Sequence, residues 1–216
     1  MWNIEDKQGF ETESSFDRGQ INIESDFGRV IYELAKKEEN SVFVDIGTWN
    51  GLGSTKCFIE AMLFNKKSTL LSIENNIEKF EFAKNKWTNF IQNNNLNVRF
   101  INGSLIKNEN VDNWIISNDI NLSEEQKYWI TIDKSNTQNI IEIDTEKIDI
   151  LLIDGSEFTG YLEMMMLKDI SNYILLDDVN SLKNKMSRDY LMQCDDFQLV
   201  FEDLNSRGGY SVFKKK

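Results

Sequence analysis

The chain has 216 residues, 40% of them apolar and 12% aromatic, enough to fill one globular domain with a full core. Its net charge of −12 excludes a nucleic-acid partner as the first expectation, since phosphate backbones are bound by clustered basic faces and only the tail Lys214-Lys215-Lys216 is basic. No apolar run approaches the roughly 18 residues of a membrane span, Met1-Trp2-Asn3-Ile4-Glu5-Asp6 does not open a signal peptide, and the expectation is a cytoplasmic protein with no membrane partner.

Residues 1–24 are polar and yield no element, although residues 1–40 as a whole end in a helical pattern. Ser25 or Asp26 caps a predicted helix running to about Lys37, with Phe27, Val30, Ile31, Leu34 and Ala35 on one face. Residues 41–46 read as a strand and 54–64 as a helix with Phe58, Ala61 and Met62 inward. A strand over 68–73 follows. Asn76 then caps a helix in which Ile77, Phe80, Ala83, Trp87, Phe90 and Ile91 keep helical spacing. Residues 97–102 are a third strand.

The rhythm changes after Gly103. Residues 104–147 exceed what one crossover helix needs and read as an insertion. They hold a helix near 111–117, a second opened by Ser123-Glu124-Glu125-Gln126, and a short strand or arm over 136–143. Long insertions in α/β domains serve as lids, binding loops or contacts between copies, so a homo-oligomer is among the expectations. Regularity returns with an apolar strand at 148–153 and a helix at 161–167, whose Met164, Met165 and Met166 read as core filling. A strand at 173–176, a weak helix at 181–193 and two closing strands at 197–202 and 210–213 complete the chain. Alternation of strand and helix implies one α/β domain over 1–216: a mostly parallel sheet, helices on both faces, and an antiparallel hairpin at one edge.

The segment Asp45-Ile46-Gly47-Thr48-Trp49-Asn50-Gly51-Leu52-Gly53-Ser54 joins the first strand to its helix. Glycines at 47, 51 and 53 permit positive φ and close approach to a ligand. The helix start behind them offers unpaired N–H groups. The spacing G-x-x-x-G-x-G is neither the dinucleotide fingerprint G-x-G-x-x-G nor a Walker loop.

In open α/β sheets, ligands bind beyond the C-terminal strand ends. Those ends carry Asp45, Glu74, Asn102-Gly103-Ser104, Asp154 and Asp177-Asp178. Glu74, 29 residues after Asp45, can accept from vicinal ribose hydroxyls or cap the following helix. Trp49, Phe158 and Tyr161 fall near the mouth. The chain has no histidine, so acid–base chemistry must come from carboxylates, Lys, Tyr, Cys or a metal-bound group. Cys57 and Cys194 have no metal or redox spacing, and Cys57 is expected in the core.

From about Val42 onward these motifs, with the ending Gly208-Gly209-Tyr210-Ser211-Val212-Phe213-Lys214, resemble the class I S-adenosylmethionine-dependent methyltransferases. Within that family the chain is most similar to small-molecule O-methyltransferases of the catechol, macrocin and cephalosporin-biosynthesis types. The resemblance implies a Rossmann-like seven-stranded sheet and methyl transfer from S-adenosylmethionine to a small molecule, most readily a sugar or natural-product hydroxyl. It implies cofactor contacts from Asp45, Gly47, Thr48, Trp49, Gly51, Gly53, Glu74, Ser104 and Asp154. In metal-dependent members magnesium is held at positions matching Asp154, Asp177 and Asp178, where hard carboxylate oxygens suit it. Without metal, Asp154 or Asp178 would be the catalytic base. Glu157-Phe158 stands where antibiotic-type relatives often carry His, and Asp177-Asp178 where catechol-type enzymes carry Asp-Asn. An NAD-dependent oxidoreductase and a non-catalytic binding or scaffold protein stay open as alternatives.

Overall fold

The computed structural model describes residues 21–216, so most of the 1–24 stretch and the first half of the 1–40 segment lie outside the described residues. In chain order the elements are α1 (Asp26–Ala35), β1 (Val42–Ile46), α2 (Ser54–Met62), β2 (Thr69–Glu74), α3 (Ile77–Asn94), β3 (Asn97–Asn102), α4 (Asn108–Ser117) and α5 (Glu124–Asn136). There follow β4 (Ile148–Ile153), α6 (Gly160–Leu167), β5 (Ser171–Asp177), α7 (Lys185–Gln193), β6 (Phe197–Asp203) and β7 (Tyr210–Lys215).

The helices begin where local chemistry says they should. The Ser25 hydroxyl accepts from the Gly28 N–H, and the Asn76 side chain accepts from the Glu78 and Lys79 N–H groups. Ser123 and Gln126 close a reciprocal capping box on α5. The weak helix expected from 181 starts only at Lys185, because residues 181–184 fold against the strand ends instead.

Seven strands form one sheet in the order β3-β2-β1-β4-β5-β7-β6, parallel from β3 to β5. The closing hairpin lies at one edge of the sheet, as expected. Its antiparallel strand, β7, lies between β5 and β6, and β6 takes the edge. Tyr210–Lys215 reads as a buried strand on four of six positions, and the interior slot of the sheet is where such a strand belongs.

Side chains alternate across the strands and split the core in two. Phe43, Leu70, Ile150 and Leu152 face α1, α2 and α3, whereas Val44, Leu71 and Leu151 face α4 to α7. Phe43 stacks on Phe58 of α2 at 5.5 Å, both fully buried. Truncating such an aromatic typically costs about 3–5 kcal/mol. Cys57 is buried, as expected. The methionine run is only partly core. Met164 is buried while Met166 is 52% exposed, because an eight-residue helix turns one face only to the sheet.

The 136–143 segment makes no strand. It pairs at a single bridge, Ser104 with Ile140, and otherwise runs as an extended arm beside β3. No helix among the described residues is long and apolar enough to cross a membrane.

Candidate active site

The C-terminal ends of β1, β2 and β4 are stitched together by backbone bonds. Gly47 and Thr48 N–H groups donate to the Ile73 carbonyl (3.0 and 3.1 Å), and Asp154 N–H donates to the Ile46 carbonyl (2.9 Å). Gly47 has φ +101°, and a Cβ there would lie 2.3 Å from the Asp154 carbonyl oxygen. Only glycine lets the turn pass this close to the end of β4. Trp49 takes the left-handed conformation as well, with φ +51°.

A cavity of about 370 Å³ opens over this junction, within the range of small-molecule sites. Of the expected cofactor residues it is lined by Gly47, Trp49, Glu74, Ser104 and Asp154. Asp45, Thr48, Gly51 and Gly53 are not in its wall. The Asp45 carboxylate is fully buried and turned toward α2, accepting from Ser54 Oγ (2.9 Å), Thr55 Oγ1 (2.5 Å) and Ser72 Oγ (3.3 Å). Burial raises its pKa to about 6, against the lowering effect of those hydroxyls. Its place is therefore under the turn. Thr48 bonds to Ser72, Gly51 accepts from Trp87 Nε1 (2.7 Å), and Gly53 precedes α2 at its N-cap.

Glu74 is committed to the backbone on two sides. Its two oxygens accept the N–H groups of Trp49 (2.7 Å) and Asn76 (2.8 Å), and it remains in the cavity wall. Burial raises its pKa, and those two N–H bonds oppose the rise. The Ser104 hydroxyl is engaged with the Ile106 backbone (3.0 and 3.1 Å). Trp49 is 55% exposed, with the Lys79 ammonium 4.1 Å from its ring centroid. Phe158 is buried, as ordinary packing required.

The segment read as an insertion contributes a wall. Ile130, Asp133 and Thr137 line the cavity. Ser156 Oγ donates to Asp133, and Asn75 Nδ2 donates to the Asp133 carbonyl (3.2 Å) and to Thr137 Oγ1 (2.9 Å), fastening α5 over the strand ends. Glu163 of α6 is a wall residue that sequence reasoning missed. It is buried, its Oε2 has no hydrogen-bond partner, and burial pushes its pKa to about 7.

Beside the cavity, Asp154, Asp177 and Asp178 bring one carboxylate oxygen each within 4.8 Å of one another. The strand-end pattern pointed to this convergence. It did not point to the two cations that meet it. Lys183 Nζ lies 2.9 Å from Asp154 Oδ1 and 2.7 Å from Asp178 Oδ2, and Arg207 Nη2 lies 3.0 Å from Asp177 Oδ2. Burial on its own would lower the Lys183 pKa, but Asp154, Asp178 and Asp177 together outweigh it and raise it. Asp177 is 4% exposed at its side chain; burial and then Asp154 raise its pKa, and Arg207 opposes them.

Both cations are placed by backbone packing. The buried Asn184 amide donates to the carbonyls of Ile153 (2.9 Å) and Asp177 (2.7 Å), bridging β4 to β5 one residue after Lys183. The β6–β7 turn lies against the Asp177-Asp178 turn, with Val179 and Asn180 N–H groups donating to Gly209 and Gly208 carbonyls (3.1 and 2.9 Å). A Cβ on Gly208 would fall 2.0 Å from Asp178 Oδ1. Magnesium requires oxygen ligands at about 2.0–2.1 Å in a near-octahedral shell. An ammonium bonded to two of the three carboxylates stands where such an ion would draw them together, so these residues do not fit a divalent cation as arranged.

No family model matches the chain, and no curated protein matches it. Solved structures do. A methyltransferase from Geobacter sulfurreducens matches at TM-score 0.57 and 14% identity, over 90% of this chain and 80% of that one. An O-methyltransferase from Bacillus cereus in complex with SAH matches at 0.57 and 14%, over 88% and 80%. An SAH-bound methyltransferase from Podospora anserina matches at 0.53 and 12%, over 88% and 77%. At these identities the likeness shows a shared fold: the seven-stranded Rossmann-like sheet with its antiparallel C-terminal hairpin.

Proposed function

We propose that this protein transfers the methyl group of S-adenosylmethionine to a hydroxyl of a small molecule. The observation that carries the reading is the cavity itself. A glycine turn, a strand-end glutamate and a carboxylate cluster converge at the open end of a sheet shared with SAH-bound methyltransferases.

Gly47 and the Trp49 turn form the surface against which the methionine part of the cofactor lies. Glu74 has lone pairs left on both oxygens to receive ribose hydroxyls. Glu163 presents an unpartnered acceptor to an N–H donor. Asp133, Asn75 and Ser156 hold α5 as a wall that limits water. When bound, S-adenosylmethionine supplies an electrophilic methyl: the acceptor oxygen forms the C–O bond as C–S breaks, the electron pair stays on sulfur, and the hydroxyl proton leaves to a carboxylate. Asp154 and Asp178 are the carboxylates placed to take it. Alignment of acceptor and donor by the cavity walls supplies much of the rate.

Calorimetric titration with SAH, with NAD as control, tests the reading. Binding of SAH at roughly micromolar Kd, about −8 kcal/mol, with no heat from NAD, is the expected result. A folded protein that binds neither favours the scaffold alternative, and one that binds NAD alone favours the oxidoreductase.

A further inference from the structure

Taking the methyl-transfer reading of the cavity as its basis, we infer that Lys183 is the resident cation of the Asp154–Asp177–Asp178 cluster and that the cluster works without a divalent metal ion. Three carboxylates this close repel one another and require positive charge among them. The chain supplies it from its own side chains. Lys183 spans Asp154 and Asp178, and Arg207 takes Asp177. The Lys183 side chain is 12% exposed, so its head is not a solvent lysine that swings in by chance.

Its position is fixed on both sides. Asn184 clamps the segment to β4 and β5, and a Cβ on Gly160 would lie 2.4 Å from the Lys183 carbonyl oxygen, so α6 packs directly on it. A divalent ion entering the cluster would have to expel the ammonium from charge-assisted bonds to two of its three ligands, or sit beside a like charge. Lys183 is thus a positioning residue: it orients Asp154 and Asp178, the carboxylates that receive the acceptor's proton.

Replacement of the ammonium by an apolar side chain should convert the cluster into the metal site it resembles. Mn2+ binding to the full chain is followed by electron paramagnetic resonance, in wild type, Asp178→Asn, Lys183→Met and Lys183→Met/Asp178→Asn. SAH binding is measured on the same samples. Wild type and Asp178→Asn should bind Mn2+ equally weakly. Lys183→Met should gain one site at least tenfold tighter, lost again in the double variant. A wild-type Mn2+ site that disappears in Asp178→Asn overturns the inference, as does a folded Lys183→Met that gains no site. If Lys183→Met does not fold, wild type against Asp178→Asn decides it alone. Failure of wild type to bind SAH sinks the methyl-transfer reading separately and leaves the cation result legible.

Discussion

Two carboxylate sites stand at neighbouring strand ends, and they are held in opposite ways. Asp45, ending β1, is surrounded by the neutral hydroxyls of Ser54, Thr55 and Ser72. Asp154, Asp177 and Asp178, ending β4 and β5, are met by the ammonium of Lys183 and the guanidinium of Arg207. Hydroxyls can donate to a carboxylate or accept from a carboxylic acid. Burial raises the Asp45 pKa to about 6 while the hydroxyls lower it, and the carboxyl fastens the glycine turn. In the other cluster a fixed ammonium bridges Asp154 and Asp178, while burial and Asp154 raise the Asp177 pKa to about 8 against Arg207. The same residue type thus gives a structural peg in one place and a working cluster one strand away.

The contrast breaks most sharply at Lys183. Lys183→Met leaves the partly buried Asp154 and Asp178 without their shared ammonium and should destabilise the fold by about 3 kcal/mol, read by urea unfolding at pH 8. Added Mn2+ should return part of it. A variant as stable as wild type in chelator would mean that the ion pair contributes nothing.

Asp45→Asn sharpens the other side. Its folded pKa of about 6 lies above the 3.8 of an unperturbed aspartate. The folded state therefore holds this proton more tightly than the unfolded chain, and wild type loses stability as pH rises from 3.8 through 6. Asn carries no such proton. The variant should gain on wild type by on the order of 2–3 kcal/mol between pH 4 and pH 7. Parallel stability–pH curves for the two proteins would contradict the assignment.

Thr55→Val removes the shortest of the three hydroxyl bonds and leaves a buried oxygen less satisfied. A loss of about 1–3 kcal/mol is expected, larger at pH 8 than at pH 4, where the acid form needs fewer donors. The smallest effect belongs to the cavity mouth. Lys79→Ala removes a cation from the face of the exposed Trp49 and should change stability by about 0.5–1 kcal/mol. Its thermal midpoint should move far less than that of Lys183→Met.

Much of this architecture was legible in the sequence because it is local. β3 and β4 keep the boundaries that hydrophobic patterning predicted, and the caps at Ser25, Asn76 and Ser123 start their helices where expected. The polar strand ends also converge as the α/β rule requires. What escaped was non-local. Lys183 sits 29 positions beyond Asp154, in a stretch that reads as an ordinary helix start, and Arg207 lies 30 beyond Asp177 in a hairpin turn. Neither carries a motif. The hydroxyl cage of Asp45 is hidden in a related way: Ser54 and Thr55 read as the start of a helix, and one turn of α2 aims both hydroxyls at the strand end. Glu163 was hidden within a methionine-rich run that periodicity assigned wholly to packing.

The most direct test is a crystal structure of the SAH complex grown in the presence of magnesium. SAH should lie in the cavity against Gly47, Glu74, Ser104 and Asp154, with Lys183 Nζ still bonded to Asp154 and Asp178. SAH bound elsewhere, or a magnesium ion between those two carboxylates with Lys183 displaced, would contradict the account.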